Sequence, residues 1–438
     1  MSMVVKNNLG AVRTLNTLNK NSSALQKSLA KVSSGMKINS AQDDASGYAI
    51  SERMRVRIRS LDQANQNAQN DSSLMKTAEG AVGNTVELLR ALKEKAINAA
   101  NDSNTDEDRA TIQKEINQFI DQVDDNALTQ FNGKYLVDGS KNNATQATST
   151  ILLNQSLSTS NDHTTKLTAL ADRAGTSLGI KTTDTYMVSW VMNGVTSTKT
   201  GTIANATALS AILQIPGSDY AKAGSADSTT IGTNKYGADV YTPDKTMGIT
   251  LTAGKSGVTG QISGFTISIL DQEGNVKKAA NAALDQFKQY QAAENQTEGG
   301  AASKSLNFQI GSEANVAIKV GLGDMRAESL GLKGSAGDKL KVTTKELANA
   351  AVNVIENALT KALDQQTTIG AIEARLEYTQ TNLTTSSENV QAAESTIRDA
   401  DMAKEMTNYT KNNVLLQSAQ AMLAQANQNS SAVLSLLQ

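Results

Sequence analysis

Residues 54 to 96 read MRVRIRSLDQANQNAQNDSSLMKTAEGAVGNTVELLRALKEKA, and an apolar side chain recurs at every seventh position of this stretch. The row consists of Met54, Leu61, Ala68, Met75, Val82, Leu89 and Ala96. A companion row three positions further on is also mostly apolar, but Asp71 and Thr85 interrupt it. Because a sustained seven-residue repeat is typical of a coiled-coil seam, the stretch predicts a long helix packed along another helix.

A second uninterrupted row lies near the other end of the chain, in a region that we predict to be helical from about Lys345 to Ile397. The row consists of Ile355, Ala362, Ile369, Leu376, Leu383, Val390 and Ile397. At a rise of about 1.5 Å per residue this helix would be about 80 Å long, so it cannot bury its apolar row alone. Its predicted partner is the row from Met54 to Ala96, because the intervening chain allows the two helices to run antiparallel.

Each end of the chain carries a shorter row with the same spacing. These rows are Leu18, Leu25 and Val32 at the start, and Met402, Tyr409, Leu416 and Leu423 at the end. The step from Ile397 to Met402 is only five residues, so the apolar face changes there and we predict a domain junction. Its N-terminal counterpart lies between Ser33 and Gly47, where Gly, Asn and Asp supply helix stop and cap signals. Within it, Asp43 and Asp44 are expected to cap the following helix rather than to form a catalytic pair.

A third amphipathic helix is predicted after residue 108. Its apolar stripe is Ile112, Ile116, Phe119 and Val123, and the preceding residues 101 to 108 are rich in turn and cap residues. The whole pattern predicts a mainly α fold, in which both chain ends form a long antiparallel coiled-coil bundle.

Composition excludes several classes of protein. The 438 residues contain 41 basic and 43 acidic side chains, one histidine (His163) and no cysteine. A balanced charge disfavours a nucleic-acid binder, and one histidine cannot supply a zinc site. His163 lies in a polar stretch that predicts a surface loop, and no catalytic sequence motif is present. We therefore expect no enzyme, no metal and no cofactor.

The start of the chain lacks the features of a cleaved signal peptide, and no apolar run of 18 residues predicts a membrane span. These features predict either a cytoplasmic protein or one exported without a cleaved leader.

The middle of the chain, from about residue 144 to 303, is rich in Thr, Ser, Gly, Ala and Asn. Tyr186–Met192 and Val195–Ile203 flank Asn193-Gly194, which predicts a β-hairpin with a tight turn. Short strands are predicted at Met247–Thr252 and Phe265–Leu270, followed by a helix from about Ala279 to Glu294. The segment is therefore expected to be a compact α+β insert.

Five stretches resemble the signature segments of bacterial flagellins, and they occur in the same order as in that family. They are KVSSGMKINSAQDDASGYAISE (31–52), TQFNGKYLVDG (129–139), GDMRAESLGL (323–332), ESTIRDADMAKEM (394–406) and LAQANQNSSAVLSLLQ (423–438). The resemblance covers about residues 1–140 and 303–438. The middle of the chain takes no part in it, which fits a family whose outer domains vary.

The resemblance implies a five-part division of the chain. Residues 1–40 and 398–438 would form an inner coiled-coil domain, 41–145 and 303–397 a helical-bundle domain, and 146–302 a variable insert on the surface. It also implies a structural subunit of the filament that propels swimming bacteria. Such a subunit is exported through the flagellar type III apparatus without a cleaved leader. Its partners would be other copies of itself, an export chaperone, and the cap and hook-associated proteins.

We expect the terminal rows to stay largely disordered in a lone subunit and to fold on assembly, because the cost of ordering them opposes premature polymerisation. Subunits would then add head to tail without closing a ring, which generates a helical polymer. The expected assembly seam is Leu18, Leu25, Val32, Met54, Leu61, Met75, Val82, Leu89, Ile355, Ile369, Leu376, Leu383, Val390, Ile397, Tyr409, Leu416 and Leu423.

The resemblance also implies a surface for Toll-like receptor 5. The matching residues are Leu89, Ala91, Lys93, Glu94, Lys95 and Asn98, with Glu115 from the next helix. The family pattern has arginines at the positions of Ala91 and Lys93 and leucine at Lys95. Because lysine cannot reproduce the donor fork of arginine and alanine has no donor, we expect weakened signalling through this receptor.

Three alternative interpretations stay open from the sequence. One is a hook–filament junction, cap or other flagellar axial protein with related ends, although the match of the last forty residues favours the filament subunit. A second is a receptor-like or adhesin coiled coil, which would need a membrane span or a leader. The third is a flagellin whose insert binds a ligand or catalyses a reaction.

Overall fold

The computed structural model describes residues 8–143, 145–216, 218–223, 230–243, 246–296 and 304–435. Both ends of the described part of the chain are helical, and the two longest helices in it contain 55 and 54 residues. The helices are α1 (Leu9–Ser34), α2 (Ala45–Ala99), α3 (Asp106–Ala127), α4 (Leu209–Leu213), α5 (Lys278–Leu284), α6 (Lys345–Arg398) and α7 (Met402–Ser435). The predicted long helices are thus confirmed. α6 ends and α7 begins where the apolar face changes, and the domain junction proposed there remains a prediction.

The strands are short, and most lie in the insert. They are β1 (Gln130–Phe131), β2 (Lys134–Tyr135), β3 (Ile151–Asn154), β4 (Thr185–Met192), β5 (Val195–Thr202), β6 (Ser218–Ala223), β7 (Thr230–Thr233), β8 (Asp239–Tyr241), β9 (Gly248–Ala253), β10 (Ile262–Leu270), β11 (Lys288–Gln291), β12 (Leu306–Gln309) and β13 (Ala317–Val320). Two larger sheets have the strand orders β10-β4-β5 and β11-β3-β9-β6. Three two-stranded sheets pair β1 with β2, β7 with β8, and β12 with β13.

The chain divides into two compact units. Unit 1 consists of Met1–Ala68, Gln309–Val316 and Tyr378–Gln438, and unit 2 consists of Gln69–Phe308 and Ala317–Glu377. The five-part division at residues 40, 145, 302 and 397 remains a prediction.

Unit 1 contains α1, α7, the first part of α2 and the last part of α6. Its buried apolar cluster comprises Leu61, Ala64, Ala68 and Leu383. Ser387 Oγ donates to Asp62 Oδ1 at 2.9 Å, and Gln380 Nε2 donates to the carbonyl of Ala68 at 3.0 Å. The later residue on α2 contacts the earlier residue on α6. The two helices therefore run antiparallel in this unit, as predicted.

Unit 2 combines a helical part with the insert. Its helical core includes Met75, Val82, Ile116, Ile120, Ile355 and Ile369. α3 is fastened to the segment that follows β13, because Val342 N donates to Gln113 Oε1 at 2.6 Å and Lys339 pairs with Asp121 at 2.6 Å. The helical part of the unit is therefore held by polar contacts as well as by its apolar core.

The predicted hairpin of the insert is confirmed. β4 and β5 pair antiparallel from Thr185 with Thr202 to Met192 with Val195. Asn193 and Gly194 form the turn with φ of 49° and 75°, and glycine adopts this left-handed backbone without a steric penalty. Phe265 and Phe287 pack edge to face in the insert core, with ring centroids 5.1 Å apart.

The helix predicted for Ala279–Glu294 is wrong in its second half. α5 ends at Leu284, and Lys288–Gln291 forms strand β11 instead. β11 pairs antiparallel with β3, which is remote in sequence. A helical preference of the local sequence is overridden here by pairing with a distant strand.

The starts of α2 and α3 show why these helices begin where they do. Asp44 Oδ1 accepts hydrogen bonds from the amides of Ser46 and Gly47, both at 3.0 Å, so the capping role predicted for Asp44 is confirmed. The same prediction is wrong for Asp43, because its Oδ2 accepts from the amides of Asn39 and Ser40, which precede it in the chain. Thr105 and Asp108 form a reciprocal capping box at the start of α3.

Candidate assembly surface

The predicted seam residues of the long helices line the interior of the chain itself. Leu61 and Leu383 are buried in unit 1, whereas Met54, Val390 and Ile397 are half-buried there. In unit 2, the seam residues are completely enclosed: Met75, Val82, Leu89, Ile355, Ile369 and Leu376. In the lone chain, these two rows are therefore covered mostly by neighbouring parts of the same molecule.

The seam residues of the terminal helices are less protected. Leu18, Leu25 and Val32 on α1 are half-buried, and so are Tyr409, Leu416 and Leu423 on α7. The two helices pack against each other within unit 1. We call α1 and α7 the terminal helix pair.

Asparagine side chains join the two helices of the terminal pair. Asn21 Nδ2 donates to the carbonyl of Leu415 at 3.1 Å, and Asn412 Nδ2 donates to Ser28 Oγ at 3.0 Å. Asn8 Nδ2 donates to the carbonyl of Ala426 at 3.2 Å. These contacts set an antiparallel register, because residues that come later on α1 meet residues that come earlier on α7.

The terminal helix pair leaves much of its apolar surface exposed. Among its residues whose burial the structure describes, only Ser28 and Ala419 are buried. Leu9 and Met422 are exposed by 63% and 62% of their surface. The other exposed large apolar residues of the pair are Val12, Leu15, Leu29, Met402, Met406, Val414 and Leu415. An exposed apolar face of this kind marks an interaction surface.

The sequence prediction did not identify these residues as exposed. Met402 belongs to the predicted C-terminal row, whereas the other exposed residues lie outside the seven-residue rows of α1 and α7. The signal was the presence of leucine, valine and methionine outside the rows on two otherwise polar helices.

One acidic group interrupts the apolar packing of α2. Asp71 is half-buried in the companion row, and burial raises its pKa to about 6. Thr85, the other interruption, is buried, and its hydroxyl donates to the carbonyl of Ala81 at 3.0 Å. The threonine is thus satisfied within its own helix, whereas the aspartate is partly deprived of solvent.

The predicted receptor surface lies at the C-terminal part of α2. Lys95 pairs with Glu115 at 2.8 Å, and Lys93 pairs with Glu356. Glu94 is exposed, Ala91 is half-buried and Leu89 is completely buried. Asn98 is exposed and accepts a hydrogen bond from the side chain of Asn104. Lys93 and Lys95, which replace the arginine and the leucine of the family pattern, are therefore both engaged in ion pairs within the chain.

His163, the one histidine of the chain, lies beside an acidic neighbour in sequence. The ring Nδ1 of His163 lies 2.5 Å from Asp162 Oδ1, its neighbour in sequence. Across the part of the chain that the structure describes, no cluster of three or more metal-ligating side chains occurs. Among the described helices, none of 18 residues or more has an apolar stretch that could span a bilayer.

Comparison with known proteins identifies the class. Residues 5–142 match the family model of the bacterial flagellin N-terminal helical region. Residues 352–437 match the family model of the bacterial flagellin C-terminal helical region. A flagellin from Clostridium tyrobutyricum is 36% identical over 433 residues, which cover 97% of this chain and 99% of that protein. The chain therefore belongs to the bacterial flagellin family. It is a structural subunit that polymerises into the flagellar filament, outside the cell.

Two further comparisons have less weight. The flagellar filament 30.7 kDa core protein of Treponema maltophilum is 28% identical over 438 residues, covering 99% of this chain and 100% of that protein. The solved structure of the flagellar junction protein FlgL from Legionella pneumophila gives a TM-score of 0.33 at 15% identity, covering 80% of this chain and 99% of that one. This second likeness is too slight to bear on function.

Proposed function

We propose that the terminal helix pair is the part of the chain that drives polymerisation, and that it folds completely only when neighbouring subunits cover it. The observation that carries this proposal is the exposed apolar face of α1 and α7. Two helices of 26 and 34 residues present leucine, valine and methionine side chains to solvent along both of their lengths. Burial of such side chains contributes roughly 1.5–3 kcal/mol each, which is ample to hold subunits together.

The same exposure supports coupling between folding and assembly. A pair of helices gains most of its stability by burying apolar faces, and this pair buries little. Ordering about sixty residues costs roughly 1–2 kcal/mol of backbone entropy per residue, which weak packing does not offset. Neighbouring copies would supply the missing contacts. A non-closing head-to-tail addition then gives a helical filament rather than a ring.

Electron microscopy and sedimentation of purified chains test this role of the ends. The full chain should form filaments on seeding, and a chain lacking residues 1–32 and 412–438 should stay monomeric with its remaining helices intact. Equally good filaments from the shortened chain would contradict the proposal.

Point variants provide a matched comparison in the full chain. Val414→Ser and Met422→Ser remove exposed apolar side chains from α7 and should raise the concentration needed for polymerisation. Val276→Ser makes the same kind of change at a half-exposed position of the insert and should leave that concentration unchanged. A similar effect of all three variants would show that the terminal pair has no special role.

We also propose that the chain leaves the cell through the flagellar type III apparatus without cleavage, and that it engages an export chaperone, the cap and the hook-associated proteins. The five flagellin-like segments support this proposal. In flagellin-deleted bacteria that express this chain, the protein should reach the medium only when the export apparatus is intact, and its mass should match the uncleaved chain. Release without the apparatus, or a shortened N-terminus, would contradict it.

For the innate receptor we propose weakened recognition. Ala91 offers no donor where the family has arginine, and the ammonium groups of Lys93 and Lys95 are already paired with Glu356 and Glu115. A receptor would have to compete with these carboxylates for the lysines.

A further inference from the structure

The end of α1 and the start of α7 are joined by a short backbone bridge within unit 1. The amide of Ala400 donates to the carbonyl of Gly35 at 2.9 Å, and the amide of Lys37 donates to the carbonyl of Arg398 at 2.7 Å. We call this feature the root bridge, and define it as residues 35–38 and 398–400. The C-terminal end of α1 and the N-terminal end of α7 therefore lie next to each other in the fold.

The side chain of Arg398 fastens the root bridge to the start of α2. Only 8% of this side chain is exposed. Its Nη1 donates to Glu52 Oε1 at 2.6 Å and to Ser51 Oγ at 3.4 Å. Its Nε donates to the sulfur of Met36 at 3.2 Å, and its guanidinium lies 5.5 Å from the centre of the Tyr48 ring. One buried cation thus holds both strands of the bridge and the first turns of α2 together.

A buried guanidinium is stable only when its donors are satisfied, so these contacts are coupled. The hydrogen bond from Arg398 is the main cause that holds the pKa of Glu52 below its usual range. Arg55 also donates to Glu52 Oε1, at 3.3 Å, but 41% of its side chain is exposed. The two arginines share one carboxylate and differ in burial.

The terminal helix pair needs such an anchor, because its own packing is thin. Ten residues, 35 to 44, connect α1 to α2, and only Asp399 to Asp401 separate α6 from α7. Both connections run through the root bridge, and the guanidinium of Arg398 contacts Met36 on one side of the bridge and Ser51 and Glu52 on α2. We propose that Arg398 is the positioning residue that fixes both roots of the terminal helix pair in the geometry that polymerisation requires. This inference rests on the role of the terminal pair in assembly.

Three variants of the full chain separate positioning from general stability. Arg398→Met keeps the apolar stem and removes every donor. Glu52→Gln keeps the shape of the acceptor and removes its charge. Arg55→Met is the matched control, because it removes an exposed arginine from the same carboxylate. Circular dichroism checks that each monomer remains helical, and light scattering on seeding gives the critical concentration.

We expect Arg398→Met to raise the critical concentration about tenfold or more, and Glu52→Gln to raise it severalfold. Arg55→Met should stay within about twofold of the wild type, as expected for an exposed pair. Filaments that Arg398→Met forms at high concentration should differ from the wild type in twist or rise per subunit when imaged by electron cryomicroscopy. A change in symmetry is a readout that loss of stability alone would not produce. A fourth variant, Arg398→Lys, keeps the positive charge. Its critical concentration should lie between those of Arg398→Met and the wild type.

Wild-type critical concentrations and symmetry for Arg398→Met would overturn the inference while leaving the filament role intact. If Arg398→Met fails to fold, Glu52→Gln becomes the test of the inference. A critical concentration and filament symmetry of Glu52→Gln equal to those of the wild type would also overturn it. Failure of the wild-type chain itself to polymerise would instead remove the assembly role on which the inference rests.

Discussion

Asp71 shows how one residue makes the packing of α2 depend on pH. Its pKa is raised to about 6 in the folded chain, above the ordinary value of 3.8, because burial disfavours the charged carboxylate. The folded state therefore holds its proton more tightly than the unfolded state does. It follows that the contribution of Asp71 to stability falls as the pH rises from about 4 to about 6 and is constant above that range.

Asp71→Asn should remove this dependence and make the chain more stable than the wild type near pH 7. The full difference in pKa would correspond to about 3 kcal/mol, and partial contact with solvent reduces this to roughly 1–2 kcal/mol. Denaturant unfolding of the monomer between about pH 4.5 and 7.5 measures it. Asp364→Asn, at an exposed position of α6, is the control and should change stability little. A stability difference between Asp71→Asn and the wild type that is the same at every pH in this range would contradict the prediction.

The receptor surface gives a second prediction at the scale of residues. Changing Ala91→Arg, Lys93→Arg and Lys95→Leu together restores the family pattern and frees Glu115 from its ion pair. We expect the triple variant to be at least about tenfold more potent than the wild type in cells that report Toll-like receptor 5 signalling. Ala374→Arg, an exposed change on α6, is the matched control. Ordinary flagellin potency of the wild-type chain would contradict the prediction.

At the scale of elements, two glycines lie at exposed positions inside the long helices. A Cβ added at Gly80 on α2 or at Gly370 on α6 would meet no heavy atom within 4 Å. Each glycine therefore costs backbone entropy without allowing a close contact in the lone chain. Gly80→Ala and Gly370→Ala should each stabilise the monomer by about 0.5–1 kcal/mol.

The same substitution at Gly264 should have the opposite sign. A Cβ there would lie 2.6 Å from Val354 Cγ2 and 3.1 Å from Val354 N, where β10 meets α6. Asn357 Nδ2 donates to the carbonyl of Ser263 at 2.8 Å beside this contact. Gly264→Ala should therefore destabilise the monomer. Thermal unfolding measures all three variants, and stabilisation by Gly264→Ala would show that the contact is not as tight as described.

The long helices were predictable because their signal is local and repeats over many turns. The hairpin β4–β5 was predictable for a similar reason, since Asn193-Gly194 specifies the turn by itself. The strand Lys288–Gln291 was not, because its partner Ile151–Asn154 lies in a remote part of the sequence. Pairing at that distance leaves no local pattern.

The candidate surface was predictable only in part. The seven-residue rows located the helices of the terminal pair and the face along which they meet. They did not indicate that Val414 and Leu415 stay exposed, because exposure depends on what the rest of the fold covers. Arg398 lies in one of the flagellin-like segments, but its contacts were not predictable, since Met36, Tyr48 and Glu52 come near it only in the folded chain.

At the scale of the whole molecule, the two ends of the chain form one structure. The contacts between α1 and α7 span almost the whole chain, because they join residues as far apart as Asn8 and Ala426. Closing so long a loop costs entropy, and the pair recovers little of it through its own burial. The contacts between residues that are most distant in sequence are therefore among those least shielded from solvent. This is expected of helices that neighbouring subunits cover in the filament.

Hydrogen exchange of the full chain, before and after seeded polymerisation, tests this arrangement most directly. Amides of Leu9–Ser34 and Met402–Ser435 should exchange readily in the monomer and at least about tenfold more slowly in the filament, which corresponds to about 1.4 kcal/mol. Amides around Val82 and Leu89 in α2 should be protected in both states and serve as the internal reference. Terminal amides that are as protected in the monomer as those of α2, and unchanged in the filament, would contradict folding of the terminal helix pair on assembly.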